Sequence, residues 1–233
     1  MDTNSAGRLV WDLPVRVVHW AVMSAVLGCY VSDKLGPSYF TWHLVCGCTV
    51  LVLVTFRILW GFVGTRHARF SSFLRGPRAM WAYLQGQPPT DGTLHPVGHN
   101  PLGGAGIMIM LALLLTPAVT GLFANDEIEN TGPFFGWVSG HTSNELSSIH
   151  HLAFLLLKVM IGLHVAAVLF YSLVKREQLI GPMYSGRKAA ARVPVSQAIS
   201  SSKIWTALAI LAVLTALLVY LVNAAPPAAL SPF

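Results

Sequence analysis

IHHLAFLLLKVMIGLHVAAVLFYSLV, residues 149–174, is long and apolar enough to cross a bilayer, and it carries His150 near one end and His164 deeper in. At about 100° per residue, the step of fourteen positions between them falls only about 40° short of four full turns, so both imidazoles face the same way. Along the axis they stand about 21 Å apart. A polar ring in hydrocarbon is costly and marks function. Two on one face, one toward each leaflet, predict two sites stacked across the membrane. His151 competes with His150, but it points about 140° away from His164. The periodicity selects His150.

The rest of the chain agrees with a membrane setting. Of its 233 residues, 54% are hydrophobic and only 10% charged, against about 25% charged in a soluble domain; the mean hydropathy is +0.60. Five apolar runs, at about 15–31, 40–63, 105–124, 149–174 and 204–222, each approach or reach the length of a spanning helix. Cys29, Cys46 and Cys48 all lie inside such runs and none sits in C-x-x-C-H, which argues against a disulfide framework, a zinc cluster and covalently attached haem. The net charge of +6 is gathered in particular loops and is no nucleic-acid footprint. No cleavable signal is expected, because the first run lacks an A-x-A-like site.

Loop charges orient the runs. Arg8 and Arg16 precede or open the first; Arg66, Arg69, Arg75 and Arg78 separate the second from the third; Lys175, Arg176, Arg187, Lys188, Arg192 and Lys203 separate the fourth from the fifth. Residues 125–148 hold Asp126, Glu127, Glu129 and Glu145 with no Lys or Arg. The positive-inside rule then predicts a cytoplasmic N-terminus and a periplasmic C-terminus. Residues 70–85 mix aromatic and basic side chains and read as an interfacial helix broken or started at Pro77. Asn100 and Pro101 read as the N-cap and first position of the third span, which Pro117 should kink. Residues 181–202 read as a flexible cytoplasmic linker, and 203–223 as an additional anchoring or partner-binding helix.

Four histidines lie in spans. With this topology His19 is inner, His43 outer, His150 outer and His164 inner, so depth pairs His43 with His150 and His19 with His164. Two neutral imidazoles from facing helices are the arrangement for axial ligation of a b-type haem in a bundle core. Transport of a metal or of protons is the rival reading, but such relays recruit Asp or Glu, and these spans contain none. His67, His95, His99 and His141 lie in loops and read as solvated or capping residues.

The stretches WDLPVRVVHW (11–20), WHLVCG (42–47), FRILWGFVG (56–64), GHNPLGG (98–104) and the His150, His164-Val-Ala-Ala pattern resemble the bacterial cytochrome b561 family, which includes the b-type subunits of nickel–iron hydrogenases. The resemblance covers about residues 8–186. It implies an all-α integral membrane protein whose four-helix bundle, within 8–180, holds two non-covalent b haems on the four histidines already chosen. It further implies electron transfer in the bacterial inner membrane between a periplasmic partner, a c-type cytochrome or hydrogenase-like oxidoreductase, and the quinone pool. Superoxide:quinone oxidoreductase activity is the alternative within the same family, and the sequence leaves open whether the chain is a relay or an enzyme in its own right. Three further residues fit around the cofactors. Arg57 shares the face of His43 fourteen positions on and suits a haem propionate. Gly47, one turn after His43, would let a macrocycle approach the backbone. Lys158 lies between the two histidines of the fourth run with no evident carboxylate, its partner open among a propionate, a quinone and another polar group.

Overall fold

The structure, a computed structural model, describes residues 7–87, 97–128 and 130–226. Its long helices are α1 (Leu13–Leu35), α2 (Phe40–Val63), α5 (Pro101–Thr120), α6 (Gly140–Leu173) and α8 (Ile204–Ala224). All five are long and apolar enough to cross a membrane. Between them lie the short helices α3 (Phe70–Phe73), α4 (Pro77–Leu84) and α7 (Ile180–Ser185), and the strands β1 (Arg8–Leu9) and β2 (Arg187–Lys188). The protein is a multi-pass, all-α membrane bundle.

Local chemistry explains the boundaries. Asn100 caps α5 as expected, its Oδ1 accepting the Gly103 N–H at 2.6 Å, with Pro101 at the first position. The anticipated interfacial helix is two pieces, and Pro77 opens the second. Helix α6 starts nine residues before the apolar run does, because its first turns are polar. At 34 residues it is about 51 Å long, well beyond the hydrocarbon thickness of about 30 Å, so the hydrophilic end projects.

The chain divides into two compact units. One comprises Met1–Val18, Arg57–Met110 and Ile161–Ala207, the other His19–Phe56, Leu111–Met160 and Leu208–Phe233. In the first unit, residues 181–202 are folded, where the sequence suggested a flexible linker. Strand β2 pairs antiparallel with β1, Arg8 opposite Lys188. The Val10 and Trp11 N–H groups donate to Gly186 O at 2.9 and 3.1 Å, and Ile199 N–H to Leu9 O at 3.0 Å. Arginines do the rest: Arg8 donates to Ala190 O and Val193 O, and Arg66 to Ser196 O. Lacking an apolar period, this segment takes its order from backbone acceptors that distant cations find, which a local reading cannot detect.

Asp12 anchors the same unit. It is 1% exposed. Its Oδ1 accepts the Val15 N–H at 2.8 Å and caps α1, while Oδ2 accepts Trp60 Nε1–H at 3.1 Å and the Thr65 hydroxyl. Three donors satisfy one buried carboxylate and tie α1 to the end of α2. Asp12→Ala should therefore destabilise the protein by about 2–4 kcal/mol, since it strands two buried donors and removes a cap. Thermal unfolding in detergent checks this, with Asp12→Asn expected to fall between the parent and the alanine variant.

In the second unit, the loop between α5 and α6 is stitched to the start of α6. Gly132 N–H donates to Ala124 O and Phe134 N–H to Leu122 O, each at 2.7 Å. The fully buried Ser143 donates to Phe123 O at 2.6 Å, and Ser147 to Asn125 O at 3.1 Å. These bonds fix the polar turns from which α6 carries His150 inward.

Candidate functional site

His43 stands in the first turn of α2 and His150 in the third turn of α6. Their ring centres are 6.2 Å apart, with the planes at 61°. His43 Nδ1 lies 3.0 Å from Cys29 O on α1, and His150 Nδ1 lies 2.9 Å from Pro117 O on α5. A carbonyl oxygen only accepts, so each Nδ1 carries the hydrogen and each Nε2 keeps its lone pair. That tautomer is the one a metal needs, and the Nδ1–H bond makes the ligand more basic. The spacing fits as well. With a metal–imidazole bond of about 2 Å and about 1 Å from nitrogen to ring centre, two rings sharing an iron have centres about 6 Å apart.

Both carbonyls are brought in by close approaches that glycine permits. A Cβ on Gly121 would stand 3.0 Å from His150 Cε1, from its Nδ1 and from Pro117 O. A Cβ on Gly28 would meet Cys46 Sγ at 2.6 Å, where α1 packs on α2. The competitor His151 is exposed, its ring edge-on to His150 at 5.7 Å.

The other expected residues are placed as follows. His19 lies on α1, its ring edge-on to Trp20 at 5.1 Å. His164 lies on the exposed side of α6, on the same unbroken helix as His150. Arg57 is buried, its guanidinium 5.6 Å over the Phe70 ring, and its Nη1 meets no hydrogen-bond acceptor among the described residues. Beside Gly47, an added Cβ would meet nothing within 4 Å. Lys158 has a partner after all. Its Nζ sits 5.2 Å over the ring of Phe154, one turn earlier, and this ring lies 6.3 Å from Tyr30.

Two loop histidines depart from the expectation of solvated or capping residues; His95 lies outside the described residues. His67 is 6% exposed and donates Nε2–H to Gln197 O at 2.8 Å. His99 is clasped between Trp11 and Phe73, at ring distances of 4.6 and 4.9 Å, and its Nδ1 is shut off from water. Burial, reinforced by the positive charges of Arg57, Lys188 and His67, pushes its pKa down to about 3. Burial also pushes His67 down. In the sequence His99 reads as a loop residue, and only the aromatic neighbours Trp11 and Phe73 make it a core position.

A histidine whose folded pKa is depressed resists protonation that the unfolded chain accepts, so it costs stability as pH falls below the unfolded value of about 6.5. For His99 the cost grows down to about pH 3 and then levels. Melting temperature against pH in detergent should thus fall less steeply between pH 6.5 and 4 for His99→Phe than for the parent. Parallel curves would mean that His99 titrates normally.

A multi-pass helical bundle that sets two Nδ1-bonded imidazoles an iron's breadth apart has the architecture of a membrane b-type cytochrome. The chain belongs to the prokaryotic cytochrome b561 family, whose model matches residues 10–186. Its cofactor is accordingly haem b, and its work is electron transfer in a membrane. Among curated proteins it is similar to the probable Ni/Fe-hydrogenase B-type cytochrome subunit of Rhodobacter capsulatus, at 26% identity over 215 residues, 77% of this chain and 80% of the relative. It is also similar to the probable Ni/Fe-hydrogenase 1 B-type cytochrome subunit of Escherichia coli K12, at 22% over 223 residues, 80% and 92% of the two chains. The corresponding Azotobacter vinelandii protein is 25% identical over 212 residues, 76% and 86% of the two chains. No solved structure gives a significant match.

Proposed function

We propose that the chain is a two-haem electron relay crossing the bacterial inner membrane, N-terminus in the cytoplasm and C-terminus in the periplasm. His43 and His150 hold the outer haem, and His19 and His164 the inner one. The observation that carries this reading is the outer pair: two imidazoles from different helices, 6.2 Å apart, each with Nδ1 on a backbone carbonyl. The inner pair rests on depth and helix order, and on the same-face spacing of His150 and His164 along α6. Haem held there would supply one-electron exchange. The residues supply the rest. The backbone carbonyls orient the imidazoles, Gly47 leaves room beside α2, and the buried Arg57 Nη1 suits a propionate oxygen.

The relatives' names support a hydrogenase-like oxidoreductase subunit as the partner class; the topology read from the loop charges puts that partner on the periplasmic side, with the quinone pool as the other terminus. A periplasmic c-type cytochrome and superoxide are the other donors to test. Reduction of the purified protein by quinol, by a periplasmic cytochrome and by superoxide, under one set of conditions, separates these.

Ligand substitution tests the core of the proposal. Purified protein should carry two extractable haems per chain with a b-type pyridine haemochrome spectrum. His43→Ala or His150→Ala should remove one haem, His19→Ala or His164→Ala the other, and His151→Ala neither. Every ligand variant should fail to pass electrons across proteoliposomes from an outside donor to trapped ferricyanide. Parental rates in His19→Ala or His164→Ala would sink the two-haem path.

A further inference from the structure

The two carbonyls that orient His43 and His150 share a second feature. Three residues after each comes a hydroxyl that reaches back to the same oxygen. Ser32, 5% exposed, lies 2.7 Å from Gly28 O and 3.0 Å from Cys29 O. Thr120, 7% exposed, lies 2.9 Å from Thr116 O and 3.5 Å from Pro117 O. Cys29 O and Pro117 O are the acceptors of the two imidazole N–H groups. Neither α1 nor α5 gives the pair a ligand, yet each presents the same three-part device: imidazole, carbonyl, hydroxyl.

We infer that Ser32 and Thr120 are positioning residues that set the reduction potential of the haem between His43 and His150, by competing with the ligand imidazoles for their carbonyl acceptors. This rests on the reading that the pair ligates a haem. A carbonyl that already receives a hydroxyl hydrogen has less electron density to offer an imidazole N–H. The Nδ1–H bond is then weaker and the imidazole less imidazolate-like, and it donates less to the iron. Weaker donation favours the ferrous state and raises the potential. Removing the hydroxyl reverses each step: the Nδ1–H bond strengthens, the ligand becomes more basic, and the potential falls. Each hydroxyl has one hydrogen, shared with the nearer carbonyl four residues back. For Ser32 the two distances, 2.7 and 3.0 Å, are close enough for Cys29 O to take a real share, whereas for Thr120 they are 2.9 and 3.5 Å and the share reaching Pro117 O is marginal. The Ser32 effect is accordingly the larger.

The test uses the full-length haem-loaded protein, with potentiometric titration followed by its visible spectrum. His150→Ala identifies which titrating component belongs to this site. Ser32→Ala should keep both haems and lower the potential of that component alone, changing its oxidised-to-reduced ratio several-fold at fixed ambient potential. Thr120→Val should move it the same way by less, and Ser32→Thr, which keeps the hydroxyl, should restore the parental value. The low-spin ferric resonance of the same haem should shift in Ser32→Ala and return in Ser32→Thr. An unmoved or raised potential in Ser32→Ala with haem content intact overturns the inference. So does haem loss in Ser32→Ala that Ser32→Thr does not rescue, because it would mark a purely structural role. Unchanged haem content in both His43→Ala and His150→Ala would instead overturn the ligand assignment on which the inference stands.

Discussion

An imidazole inside a hydrocarbon bundle must place its N–H on an acceptor and keep its other nitrogen available. Water cannot serve as that acceptor, and a charged ring is too costly. His43 and His150 both solve this with a helix backbone carbonyl from a neighbouring helix. Helical carbonyls normally accept only within their own helix. They become reachable here where the approach is close and the flank of the helix is bare. Gly121 leaves the flank of α5 bare beside His150, and Gly28 lets α1 settle on Cys46 of α2. The glycines, the carbonyls and the tautomers are thus one arrangement, and the 6.2 Å between the rings is its result.

The first unit is organised by the same rule with a different acceptor. Asp12 is buried, and it gathers a backbone N–H, an indole N–H and a hydroxyl. Around it the basic residues of the loops do more than orient the chain in a membrane. Arg8, Arg66, Arg187 and Lys188 spend their hydrogens on backbone carbonyls of Ala190, Ser196, Gly7 and Val97. Charges that the sequence presents as a topology signal are also the staples of an ordered segment. By contrast, among the described residues the buried Arg57 Nη1 meets no acceptor.

Much was legible from sequence because membranes simplify the reading. Apolar length gave five spans, Asn100 and Pro101 gave the start of α5, and Pro77 the break in the interfacial helix. The same-face spacing of His150 and His164 needs only that α6 be continuous, and it is, from Gly140 to Leu173. These are properties of one helix at a time, fixed by its own period and its own ends. What needs two elements together stayed hidden. The burial of His99 depends on Trp11 and Phe73, and the pairing of β2 on β1. The acceptors of the His43 and His150 imidazoles are backbone atoms, and a backbone carbonyl has no letter in the sequence. In the sequence Pro117 reads as a kink, and Gly121 carries no signal of its own. Only the packing of α5 on α6 makes them the seat of His150, because a hydrogen bond across helices is decided by distance in space and not by spacing along the chain.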